Sequence, residues 1–162
     1  GVIGKGSIGM KVGKIAKAFG MNINYFSVRK YKKTQFLKFL SSLDYLSIHC
    51  PLNEKTKDLI TIKELKIMKK NMILINTARG GIVNENDLTK ALKQKIIAGA
   101  GIDVTTSEPP KKSHAYYSIL NEANFIWTPH TAWASNETLQ EAINQLIKNI
   151  NSFYKGRKRN IV

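Results

Sequence analysis

The chain has 162 residues and 43% hydrophobic content, enough for one domain with a sizeable core. No apolar run approaches the roughly 20 residues that span a bilayer as a helix, and the single cysteine, Cys50, excludes an internal disulfide framework and fits a reducing, cytoplasmic setting. The formal charge of +15 raises nucleic-acid binding as a class, but only four of the 26 cationic side chains are Arg, and lysines such as Lys11, Lys14 and Lys17 scatter along polar helix faces, so neither nucleic acid nor membrane is expected as a partner.

In chain order, Val2-Ile3 reads as a short strand that runs into Gly4-Lys5-Gly6-Ser7-Ile8-Gly9 and then into a helix. This G-x-G-x-x-G spacing in strand–turn–helix context is a dinucleotide fingerprint. The first glycine permits the tight turn, the second lets backbone approach a pyrophosphate, and the third lets helix pack close to strand. The pyrophosphate then meets the positive end of the helix dipole. The motif lies at the first residues and no Met precedes Met10. The expectation is the rear part of a longer protein, cut within the first strand of a nucleotide-binding domain that fills residues 1–162.

Val12, Ile15, Ala16 and Phe19 keep helical spacing, with Gly20 as a stop. Ile23 to Ser27 reads as strand two. A helix near Gln35 to Ser42 precedes strand three, Tyr45 to His49, which Cys50-Pro51 ends. Thr61-x-x-Glu64 is a capping box ahead of Leu65 and Met68. Met72 to Asn76 is a continuous apolar strand of buried type. Asn84 caps a helix carrying Leu88, Ala91 and Leu92; Ile96 to Ile102 and Phe125 to Thr128 are strands five and six. Thr105 to Ser118 is the longest irregular stretch. From about Ser135, Leu139, Ala142, Ile143, Leu146, Ile147 and Ile150 form a helical stripe, and the tail from about 150 is expected to run toward a lobe outside this sequence. Alternating strands and helices predict an α/β fold, a doubly wound parallel sheet of Rossmann type.

Ligands of such sheets bind beyond the carboxyl ends of the strands. Arg79, Glu108 and His130 follow strands four, five and six. Arg can grip a carboxylate bidentately, His can pass a proton near neutral pH, and a carboxylate beside it favours the protonated ring. Taken singly, each of the three is as readily an ordinary loop residue; no metal-ligand cluster is evident.

Their contexts decide between these readings. Asn76-Thr77-Ala78-Arg79-Gly80-Gly81-Ile82-Val83-Asn84, Gly101-Ile102-Asp103-Val104 with Ser107-Glu108-Pro109, and Thr128-Pro129-His130-Thr131-Ala132-Trp133 together closely resemble the D-isomer-specific 2-hydroxyacid dehydrogenases. The stretches from His49 to Ile60 and from Phe153 to Val162 resemble that family too, and the form around His130 is most similar to its glycerate dehydrogenase or hydroxypyruvate reductase branch. The resemblance implies an NAD-dependent oxidoreductase, a homodimer when full length, that moves a hydride between nicotinamide and a small 2-keto or D-2-hydroxy acid. It implies that Arg79 binds the substrate, that His130 is the proton donor and acceptor, and that Glu108 is its partner. Gly4, Gly6, Ser7, Ile8, Gly9, Cys50, Pro51, Thr77, Ala78 and Asp103 map to cofactor-binding positions. Cys50 then reads as a small buried side chain rather than a nucleophile. His49 reads as packing, Trp133 as a cover for the pocket or as core, and His114 has no evident partner.

Two departures stand out. The family's usual acid at the end of strand two is replaced by Ser27, with Arg29 and Lys30 following. That lifts a barrier to a 2′-phosphate, so Ser27 and Arg29 admit NADP as well as NAD. The family's N-terminal substrate lobe and the helix before the first strand are not in this sequence, so bare apolar sheet surface and poor activity of this stretch alone are expected. An NAD-sensing regulator with little turnover is the alternative function, because corepressors resemble the same family.

Overall fold

Six short runs, most of them rich in branched or aromatic residues, pair as one parallel sheet in the computed structural model, which describes residues 1–30 and 32–161. The strands are Val2–Ile3 (β1), Tyr25–Phe26 (β2), Tyr45–Ile48 (β3), Ile73–Asn76 (β4), Gly99–Ile102 (β5) and Phe125–Trp127 (β6), in spatial order β2-β1-β3-β4-β5-β6. The helices are Ser7–Ala18 (α1), Lys33–Ser41 (α2), Ile62–Leu65 (α3), Glu85–Lys93 (α4) and Asn136–Tyr154 (α5). Compact units divide at Pro129: Gly1–Pro129 holds the sheet, and His130–Val162 holds α5.

The chain steps from β1 to β2 in one direction, then crosses back over β1 to β3 and continues outward to β6. Right-handed crossovers therefore place α1 on one face and α2 to α4 on the other. The strand order reverses between β1 and β3, which opens a crevice at their carboxyl ends.

The α2–α4 face carries the core. Register aligns Leu46, Leu74, Ala100 and Phe125 in one row, and Ile3, Ile48, Asn76, Ile102 and Trp127 in the next. These rows meet Phe36 and Leu40 of α2, Leu65 of α3 and Leu88 and Leu92 of α4. Three helix starts are capped, those at Thr61 and Asn84 as expected. Thr61 and Glu64 form a reciprocal capping box, Asn84 accepts from the Asp87 amide, and Ser135 accepts from the Thr138 amide.

The opposite face is only partly covered. Val2, Ser47, Ile75, Gly101 and Ile126 align across it, and Ile126 is 67% exposed. α1 does not bury the stripe that its apolar spacing suggests: Ile15 and Phe19 are exposed, and the buried residues of the helix are Gly9 and Gly13. The helix meets its neighbours by a glycine edge, because it lies too close for side chains. A Cβ on Gly9 would stand 2.1 Å from the Gly4 carbonyl oxygen, and one on Gly13 would stand 2.0 Å from the Tyr25 hydroxyl. Gly9→Ala is thus expected to destabilise the fold by about 1–3 kcal/mol. Gly6→Ala, whose Cβ meets nothing within 4 Å, should stay within about 0.5 kcal/mol of the native protein. Chemical denaturation of the two variants checks the contrast.

Strands two and five are shorter than their apolar runs suggest. The Ile96 amide still bonds to the Ala91 carbonyl at the end of α4, and Lys95 turns the chain with φ 53°. The irregular stretch after β5 contains a short 3₁₀ turn, Ala115–Ile119, anchored by buried Tyr116 and Ile119. In α5, Leu139, Ile143, Leu146, Ile147 and Ile150 are exposed.

Candidate functional site

The glycine-rich turn between β1 and α1 has the geometry its spacing implies. Gly4 adopts φ 106°, and a Cβ there would lie 2.3 Å from the His49 carbonyl oxygen, so only glycine allows the turn to pass β3 so closely. Gly6 is different: the space where its Cβ would stand is open. No side chain caps α1, and its first turn holds no acid. The amides at the positive end of this 12-residue helix thus have no side-chain cap. Ser7, Ile8 and Gly9 form that first turn. These features fit the pyrophosphate of a dinucleotide.

Beyond β3 and β4, Ile8, Cys50, Pro51, Thr77, Ala78 and Arg79 line one hollow with His49 and Leu52, of about 500 Å³. Its size is that of a small-molecule site. The walls are braced from behind. Thr56 is fully buried; its hydroxyl donates to the Pro51 carbonyl at 2.7 Å and accepts from the Asn53 amide at 2.8 Å. Asn76, also buried, accepts from the Ala78 amide and donates to the Arg79 carbonyl, at 3.1 and 3.0 Å. This closes the turn that presents Arg79 to solvent, where its guanidinium donates to the Ala78 carbonyl at 2.6 Å. The sequence reading gave Asn76 no role of its own, although an Asn two residues before a turn amide is a recognisable local signal.

Cys50 is 4% exposed, and burial pushes its thiol up to about 11. It is a packed side chain, and its alkylation by iodoacetamide at pH 7.5 should be slow in the folded protein and fast once urea unfolds it. Mass spectrometry of the alkylated chain reads this directly. Beside it, burial lowers the tendency of His49 to take up a proton, and its Nε2 lies 2.8 Å from the Ser47 hydroxyl.

Arg79 and Glu108 stand on adjoining loops. Gly80 presses on the β5 loop so closely that a Cβ would come within 2.0 Å of the Thr105 carbonyl carbon. Glu108 is exposed, and one of its carboxylate oxygens accepts from the Thr105 amide at 3.0 Å. Asp103 is 3% exposed and accepts from the Thr128 hydroxyl at 2.5 Å. His130 opens the second unit with φ 54° and is half-buried. Ser27 is half-buried after β2, and Arg29 is exposed in the turn Val28–Lys30, where it lines a second hollow with Asn53, Glu54 and Lys55. Tyr31, Val162 and the Lys30 side chain lie outside the described residues. Among the described residues no group of His, Cys, Asp or Glu is arranged to hold a metal ion, and no helix is long and apolar enough to cross a membrane.

His114 corrects an expectation, because it has a partner. Its Nε2 lies 2.8 Å from a carboxylate oxygen of Glu85, at the start of α4.

Residues 1–132 match the sequence profile of the D-isomer specific 2-hydroxyacid dehydrogenase, NAD binding domain. The chain belongs to this family. Within it, the chain is 43% identical to a glycerate dehydrogenase of Methylorubrum extorquens, over the whole of this chain and 52% of that protein. It is 39% identical to a glyoxylate reductase of Thermococcus litoralis, over 96% of this chain and 49% of that protein. Among solved structures it superposes with a TM-score of 0.89 on the NAD complex of a D-isomer specific 2-hydroxyacid dehydrogenase from Lactobacillus delbrueckii ssp. bulgaricus. Identity there is 30%, over 99% of this chain and 55% of that one. The chain thus spans about half the length of the relatives it matches. It has the Rossmann-type fold of the family's NAD binding domain.

Proposed function

We propose that the full-length protein is a dehydrogenase that interconverts a small 2-keto acid and the corresponding D-2-hydroxy acid. The observation that carries this reading is the convergence of the uncapped α1 terminus, the open space at Gly6 and the Arg79-bearing hollow at one end of the sheet. The names of the relatives, a glycerate dehydrogenase and a glyoxylate reductase, support an enzyme over the regulatory alternative.

The main-chain amides of Ser7, Ile8 and Gly9 would hold the pyrophosphate, and Cys50, Pro51, Thr77 and Ala78 would line the cofactor's path toward Asp103. When bound, the nicotinamide supplies or accepts the hydride. Arg79 binds the substrate carboxylate and polarises its carbonyl. His130 holds the proton that the carbonyl oxygen receives during reduction and takes it back during oxidation. Glu108 favours the protonated ring by its charge and keeps it oriented. The enzyme works as a cytoplasmic homodimer.

Steady-state reduction of hydroxypyruvate, glyoxylate and pyruvate by the full-length protein tests the activity. Turnover with at least one of them is expected, and tight NADH binding without turnover would favour the regulator. Cofactor choice is relaxed toward NADP(H), because Ser27 replaces an acid and Arg29 stands beside it. Ser27→Asp should restore repulsion of a 2′-phosphate and shift the ratio of NADPH to NADH dissociation constants toward NADH by about tenfold or more, on the order of 1.4 kcal/mol. Strong rejection of NADPH by the native protein would contradict the assignment.

A further inference from the structure

The Glu85 carboxylate accepts three hydrogen bonds. One oxygen accepts from the Thr106 amide at 2.7 Å. The other accepts from the Thr106 hydroxyl and from His114 Nε2, both at 2.8 Å. The two side chains are only 11% and 8% exposed. His114 Nδ1 accepts from the Tyr116 amide, which leaves Nε2 as the donor toward Glu85. The ring itself is wedged between Trp127 and Tyr116, with centroids 5.5 and 4.8 Å away. Three elements are thus tied at one point: the start of α4, the loop after β5, and the 3₁₀ turn that follows it.

What this point holds is the peptide next to Glu108. Thr105 donates its amide to Glu108 and its hydroxyl to the Ser107 carbonyl. Thr106, one residue on, is the residue that Glu85 grips. The same strip of backbone is in closest contact with Gly80, directly after Arg79. A carboxylate taking three donors, one of them on a largely buried ring, is a directional clamp.

We infer that Glu85 and His114 are positioning residues, which fix the Thr105–Thr106 backbone and so set where the Glu108 carboxylate stands relative to Arg79. The inference rests on the proposed role of Glu108 and adds two residues that act through it without touching substrate.

The test is a double-mutant cycle in the full-length enzyme, with hydroxypyruvate and NADH. Glu85→Gln weakens the acceptor. His114→Phe keeps the ring contacts with Trp127 and Tyr116 but removes both nitrogens, so it remains informative if Glu85→Gln fails to fold. Each single variant should lower kcat roughly 10- to 100-fold, the cost of a misplaced group near the chemistry. The NADH dissociation constant, read by fluorescence, should change less than about twofold, because the clamp lies away from the glycine turn. His114→Gln, which carries an N–H at the reach of Nε2, should recover most of the activity lost in His114→Phe. Combined with Glu108→Gln, neither substitution should lower kcat further, since residues acting through one group are not additive. Losses that multiply with that of Glu108→Gln, or single variants with native kcat beside an impaired Glu108→Gln, would overturn the inference alone. A Glu108→Gln enzyme with native turnover would overturn the reading of Glu108, and the inference with it.

Discussion

Gly6→Val is expected to abolish dinucleotide binding while leaving the fold intact. The Cβ of the valine would meet no protein atom within 4 Å, and Gly6 has φ −81°, which any residue adopts. Folding therefore loses little. The same space is where the pyrophosphate must approach the backbone if it is to reach the amides of the first turn of α1. The added isopropyl group holds it off, and a weakening of at least about 100-fold, or roughly 3 kcal/mol, follows. Gly4 and Gly9 serve as contrasts: a Cβ at either collides with backbone at 2.3 or 2.1 Å, so their substitution damages the protein itself. Calorimetric titration with NADH beside a thermal melt separates the two effects. Unchanged affinity in Gly6→Val would remove the pyrophosphate from this turn.

In the full-length enzyme, His130→Ala should lower kcat by about 10²–10⁴-fold, the usual worth of a positioned acid–base group. NADH affinity should be nearly native, because the residues assigned to the cofactor lie on other loops. A loss confined to KM would instead mark His130 as a binding residue, since a group that acts only in the transition state lowers kcat and kcat/KM together.

Features that rest on local chemistry were legible in the residues. The caps at Thr61 and Asn84 each involve partners within a few positions, and the three glycines differ in the way their spacing implies. Long-range pairings were not. His114 and Glu85 are 29 positions apart, and only the crossover from α4 through β5 brings them together. The α1 stripe misled for a related reason: apolar spacing says which face is hydrophobic, not whether anything covers it. Here close packing against β1 and β2 selects the glycine edge, and Ile15 and Phe19 stay in contact with solvent. Arg79 and Glu108 could be placed after their strands from the sequence, but the contact of Gly80 with Thr105 that brings their loops together depends on the pairing of β4 with β5.

The most direct measurement is isotopic. The full-length protein is incubated with hydroxypyruvate and NADH carrying deuterium at both C4 positions of the nicotinamide, and the product is analysed for label position and handedness. The proposed chemistry predicts glycerate of D configuration carrying one deuterium at C2. Product of L configuration, product without the label at C2, or NADH bound but never consumed with hydroxypyruvate, glyoxylate or pyruvate would contradict it.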